Sequence, residues 1–235
     1  MENTFEKFPE EVAVALIATL IMAVLTFLYK RCKDSFIRLF QSVFLFKKIG
    51  IKRIVKTRTK AVNLIWQDLL ESTNIKVLNY KGYSFLHVKN FSDTILNKIR
   101  KESNRLTSAD FLLLNPEATS IIKARRDDLP SLEGYDDSSD DIKQTIKLLY
   151  NLDKDKNMRL CCNCRLFEEK LKWSLILSSS YILVSFYTKD VTTLNSMCLV
   201  VFRKSILGES FEKYFDELWE KSKDGYKYIE SINLI

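Results

Sequence analysis

With a single histidine and five cysteines, the chain holds few side chains able to attack, shuttle a proton or ligate a metal. His87 has a lysine, Lys89, two residues on, a common pairing that reads as a surface or core-edge histidine. One histidine also excludes a catalytic or zinc-binding histidine pair within the chain. Cys161, Cys162 and Cys164 fall on a predicted strand, where side chains alternate faces, so Cys162 and Cys164 share one face and Cys161 takes the other. Three thiols on one strand do not close a tetrahedral site, which draws on separated ligand pairs. They are read as small apolar residues, and no metal or cofactor is expected. The run GYDDSSDD at 134–141 reads as a solvated acidic loop without the glycine and terminal glutamate positions of a calcium loop. The five glycines lie far apart, which removes any glycine-rich phosphate loop.

What remains for ligand chemistry is charge at strand and helix ends. Arg58 precedes the first predicted helix, Asn115 follows a buried strand, and Arg125 and Arg126 lie one helix further on. In α/β sheets ligands collect outside the carboxyl ends of strands, and the planar guanidinium fork suits phosphate oxygens. These four are the candidate phosphate-binding residues, and no catalytic residue is assigned. The alternative is ordinary surface arginine, some of it paired with Asp127 and Asp128.

The elements that must position them follow from periodicity. Val62, Ile65, Trp66 and Leu69 make one apolar face of a helix at 59–71. A strand is predicted at 75–80, a short helix at 94–100, a buried strand at 110–114, and helices at 120–126 and 142–152. The second half turns to strands at 159–164, 173–177, 181–187 and 197–202. Several are continuous apolar runs, as in strands covered on both faces. A closing helix at 210–223, N-capped by Ser210, carries the stripe Phe211, Phe215, Leu218 and Trp219. The fold class expected is α/β, one domain over residues 50–235.

Ahead of it, residues 12–29 carry no charge over eighteen positions. As a helix they would span about 27 Å, close to a bilayer's hydrocarbon core of about 30 Å. Residues 30–60 hold eleven Lys or Arg against Asp34 alone, which by the positive-inside rule puts that flank in the cytoplasm and residues 1–11 outside. Localisation is therefore expected at the cell membrane as a single-pass protein with its main domain cytoplasmic. Residues 30–49 read as a basic amphipathic segment in which Lys30, Arg31, Lys33, Arg38, Lys47 and Lys48 meet anionic lipid headgroups; a stalk packed on the domain is the alternative. Residues 1–29 sum to −3 and residues 30–60 to +10, so 61–235 are neutral within the chain's +7. A neutral body does not suggest a nucleic-acid surface.

The order of motifs, G-I-x-x-I at 50–54, Thr57-Arg58, L-L-L-N-P, an arginine pair, a strand-rich half and a closing F-x-x-x-F-x-x-x-W, resembles the single-repeat domain of the phospholipase D superfamily. That resemblance implies a mixed sheet with flanking helices, and a catalytic H-x-K-x4-D beginning the strand pair at 171–178. The chain has Leu171, Trp173 and Ser178 at those three positions, so the resemblance carries no catalysis with it. A single anchor with a degenerate ligand domain is also similar in layout to membrane-tethered bacterial anti-phage and abortive-infection proteins.

The reading from sequence is thus a transmembrane helix followed by one phospholipase D-like domain. It would act as a non-catalytic sensor or effector that takes a phosphate-bearing ligand or a protein partner. The partners expected are the lipid bilayer, a nucleotide or nucleic acid, and a second copy of the chain. The rival readings are a membrane-anchored single-stranded nucleic-acid binder, with Tyr and Phe stacking on bases, and a hydrolase with an unrecognised site.

Overall fold

The structure is a computed structural model, which describes residues 48–82, 96, 99, 102, 106–128, 138–155, 160–187, 189 and 195–232. The chain divides between Lys47 and Lys48, and every described residue falls on the second side. Residues 12–29, the basic positions Lys30, Arg31, Lys33, Arg38 and Lys47, and His87 lie outside the described residues. So does the 94–100 helix, apart from the buried Leu96 and Ile99.

One eight-stranded sheet organises the described chain, in the order β1-β7-β6-β5-β2-β3-β4-β8. The strands are β1 (Ile51–Val55), β2 (Asn74–Asn79), β3 (Ser108–Leu114), β4 (Cys161–Phe167), β5 (Trp173–Leu177), β6 (Tyr181–Phe186), β7 (Cys198–Phe202) and β8 (Lys223–Asp224). β2, β3 and β4 run parallel, and every other neighbouring pair is antiparallel. It follows that β1, β2, β3, β4 and β6 all point their carboxyl ends to the same edge. The central strands read as unbroken apolar runs because they are covered twice: Val77, Leu78, Phe111, Leu112, Leu175, Ile176, Leu183 and Val184 are all fully buried.

The helices are α1 (Arg58–Glu71), α2 (Thr119–Asp127), α3 (Ser138–Lys154), α4 (Ile206–Lys221) and α5 (Gly225–Ser231). Strand alternation sorts them onto the two faces. Lys76 and Trp173 meet α4 through Asp216 and Phe211, whereas α1 and α3 lie on the face that carries Val77, Phe111 and Cys162. The N-cap of the closing helix lies five residues before the predicted one. Ser205 accepts from the Gly208 amide and is the true cap, while the Ser210 hydroxyl bonds back to Ile206 inside the helix. The acidic loop is shorter than expected, since Ser138–Asp141 open α3 and put Asp140 and Asp141 in its first turn, where the helix dipole favours them.

The expected architecture, a transmembrane helix followed by a phospholipase D-like domain, needs correction. The described residues form one mixed α/β sheet, and no helix among them is long and apolar enough to cross a membrane. The physical reason is visible in α3, the longest at 17 residues, whose sequence SSDDIKQTIKLLYNLDK carries charges from end to end.

Candidate functional site: a basic cleft at the carboxyl edge

Two tyrosines anchor the edge to which β2 and β6 point. Tyr80, just past β2, donates its hydroxyl to the Leu171 carbonyl at 3.1 Å and accepts from the Leu171 amide at 2.6 Å. Tyr187, just past β6, donates to Asn79 Oδ1 at 3.0 Å and accepts from the Tyr80 amide at 3.3 Å. Their rings meet at 4.7 Å. Burial pushes both phenols up to about 12, so each stays a neutral donor at any physiological pH.

Beside them opens a cleft of about 370 Å³, lined by Tyr80, Arg125, Asp128, Lys170, Leu171, Lys172, Tyr187 and Lys189. Four cations face one carboxylate. Asp128 is committed to Lys170 at 3.4 Å, while Lys172 and Lys189 have no carboxylate within ion-pair distance among the described residues. Arg125 is 5% exposed and lays its guanidinium 4.7 Å from the Tyr187 ring centre, a cation–π contact that holds the fork in place. Such a cleft offers fixed and mobile positive charge over an aromatic wall.

A second feature lies under Tyr187. Ser174 pairs with Ser185 and Ser185 with Cys198 across β5, β6 and β7. One further step in the β2–β5 register brings Asn79 beside Ser174. Four buried polar side chains thus cross the sheet in a row, on the face that α1 covers. Ser185 Oγ and Cys198 Sγ are 3.1 Å apart, whereas Asn79 Nδ2 and Ser174 Oγ have no hydrogen-bond partner among the described residues. Arg58, at the start of α1 and 2% exposed, stands by this row. Desolvation lowers its pKa, and the nearby Tyr187 and Cys198 act in the opposite sense.

The sequence-predicted candidates therefore part company. Arg58 and Arg125 both come to Tyr187. Asn115 does not join them: its Oδ1 accepts from the Glu117 amide at 3.0 Å and its Nδ2 donates to Glu168 at 2.9 Å, so it builds the turn after β3. Arg126 is exposed and lines no part of the cleft. Lys48 is exposed just before β1. Lys170, Lys172, Lys189 and the two tyrosines were not foreseen, because only the strand pairing carries them to one edge. The three positions of the absent catalytic motif are occupied by packing residues. Leu171 is 2% exposed, Trp173 packs edge-on against Phe211 and Tyr214, and the Ser178 hydroxyl is tied to Asp68 and to the Tyr181 carbonyl.

Cys162 and Cys164 are buried and Cys161 exposed, following the alternation of β4. Burial pushes the Cys162 thiol up to about 12 and raises Cys164 further, which leaves neither a ready thiolate. Among the described residues no group of three His, Cys, Asp or Glu is placed to hold a metal.

No protein-family model matches the chain, and no curated protein does. Among solved structures it is similar to TrmBL2, described as an archaeal chromatin protein with a novel mode of DNA binding. The identity is 13% and the TM-score 0.44, over 95% of this chain and 76% of that one. It is also similar to NucT from Helicobacter pylori, at 10% identity and a TM-score of 0.40, over 73% of this chain and 97% of that one. At these values the likeness carries no argument about function. Neither description names a phospholipase D.

Proposed function

We propose that the domain binds nucleic acid at the carboxyl-edge cleft, with Arg125, Lys172 and Lys189 meeting phosphate oxygens against the wall of Tyr80 and Tyr187. The observation that carries this reading is the cleft's charge, four cations to one carboxylate that is already paired. Net charge supports it once the domain begins at Lys48. Residues 48–60 contribute six cations and no acid, and 61–235 are neutral, so the domain carries +6. The basic stretch read from sequence as a membrane flank is half domain, since it supplies β1 and opens α1.

Binding of the full chain to labelled 20-mers of single-stranded RNA, single-stranded DNA and duplex, at several salt concentrations, tests the proposal. Each phosphate contact to a single strand contributes about 0.7 to the slope of log affinity against log salt. Lys172→Ala with Lys189→Ala should therefore flatten that slope by about 1.4. An unchanged slope and affinity in the double variant would refute the cleft as the site. A free mononucleotide competing as well as the 20-mer would replace the polymer with a single phosphate-bearing molecule.

A further inference from the structure

We infer that the outer edge of β1, with the ring pair Tyr181–Phe202 beside it, is a second contact for the same nucleic acid and takes it as a single strand. This rests on the nucleic-acid reading of the cleft and adds to it a surface and a strandedness. β1 is an edge strand, and Lys48, Lys52, Arg53, Lys56 and Lys60 are all exposed along it and into the first turn of α1. One or two charges on an edge strand are enough to block pairing with another sheet. β1 itself carries two, Lys52 and Arg53, and Lys48, Lys56 and Lys60 extend the row on either side of it, with no carboxylate anywhere in residues 48–67.

Like Lys172 and Lys189 in the cleft, these five have no paired carboxylate among the described residues. Lys76, Lys81, Lys143, Lys170, Lys213 and Lys223 each have a carboxylate within 4 Å. A polyanion is the partner that such a row fits.

Aromatic surface stands next to the charge. Phe202 is 42% exposed and meets Tyr181 at 5.5 Å. Lys52 Nζ lies 3.8 Å from the Tyr181 ring centre and 5.9 Å from that of Phe202. Rings beside lysines are what an unpaired base needs for stacking, and duplex bases, stacked on each other, cannot use them. The topology also gives a path. β1 ends at the same edge as the cleft, and the Tyr181–Phe202 pair stands at its other end. Five residues of strand, about 17 Å at 3.4 Å each, lead along β1 with cations on the way. The end of β6 at the cleft lies two strands across, past β7, about 10 Å further.

The test uses the full chain and fluorescence anisotropy with a labelled 20-mer of oligo-dT and a duplex of equal length. Phe202→Ala should weaken single-strand binding by about 5- to 150-fold, the range for losing one stacked base, with little change in duplex binding or salt slope. Phe202→Tyr, which keeps the ring, should restore affinity. Lys52→Gln with Arg53→Gln should flatten the single-strand salt slope by about 1.4. If the cleft variant loses binding while Phe202→Ala and the β1 pair bind as the unaltered chain does, the edge inference falls and the cleft stands. If the unaltered chain binds no nucleic acid, both fall. Phosphatidylserine vesicles supply the last arm: β1 variants that lose vesicle binding yet keep the oligonucleotide would make the edge a lipid surface and overturn the inference.

Discussion

Removing the Phe215 side chain tests how α4 holds the sheet. Phe215 is 1% exposed, stacks on Trp219 at 5.8 Å, and lies under the Lys76 ammonium, 5.5 Å from the ring centre. From sequence, Trp219 belongs to the buried stripe, and its truncation would be expected to cost stability sharply. The structure puts the larger cost on Phe215. Trp219 is half-buried, and part of its contact is the Arg165 guanidinium 5.0 Å from the indole. Truncating a fully buried Phe costs about 3–5 kcal/mol, and for a domain of this size each kcal/mol moves the melting temperature by about 2–4 °C. Phe215→Ala should therefore lower the midpoint by about 6–20 °C in a circular-dichroism melt. Trp219→Ala should cost about half as much, and Lys221→Ala, on the exposed side, nearly nothing. A Trp219→Ala variant that melts well below Phe215→Ala would show that the indole, not the phenyl ring, is the keystone.

Two further outcomes follow from one buried and one half-buried polar group. Ser174→Ala removes a hydroxyl that has no partner among the described residues and is 1% exposed, so the melting temperature should hold or rise; a clear drop would mean the hydroxyl is bonded in solution. Glu212 accepts from Arg203 Nε at 2.9 Å, and that bond first, then charge, holds its pKa below the ordinary 4.5. Because the folded pKa is the depressed one, the stability Glu212 adds is present above 4.5 and fades as pH falls through the folded value. Urea melts should show the gap between the unaltered chain and Glu212→Gln constant from pH 7 to 5 and closing in acid. A gap that widens on acidification would refute the sign.

Much of the fold is legible in the residues because each element is buried in a way that its own pattern records. The α1 face Val62, Ile65, Leu69 and the continuous runs of β3 and β6 need no partner to be recognised. What escaped was set by partners. β1 (IKRIV) is exposed at its three central positions and becomes a strand only by pairing with β7, so its cations read as a flank of something else. The true start of α4 escaped because Ser205 caps it from beyond the periodic stripe. At the site, Arg58 and Arg125 were foreseen as charge at element ends. The lysines were not, since Lys170, Lys172 and Lys189 reach one cleft through the antiparallel pairing of β5 with β6. The polar row was invisible for the same reason: Asn79, Ser174, Ser185 and Cys198 are unremarkable one at a time, and only register lines them up.

Whether β1 belongs to the domain decides how the basic stretch is understood, and it can be tested by where the chain is cut. Val200, Val201 and Cys198 of β7 are fully buried, and β1 is the strand that covers that edge. The Phe202 amide donates to the Gly50 carbonyl at 2.8 Å, and Thr57 caps α1 through the Lys60 amide. A chain beginning at residue 61 would lose the strand, the cap and the first turn of α1 together, and would leave CLVVF as an uncharged apolar edge. Such an edge templates pairing between copies. A chain beginning at Lys48 should stay monodisperse by light scattering and melt cooperatively, whereas one beginning at residue 61 should aggregate. If the shorter chain is equally soluble, melts at the same temperature and keeps its oligonucleotide affinity, β1 is an appendage. The six cations of residues 48–60 would then return to the N-terminal segment, leaving a domain with no net charge to attract a polyanion.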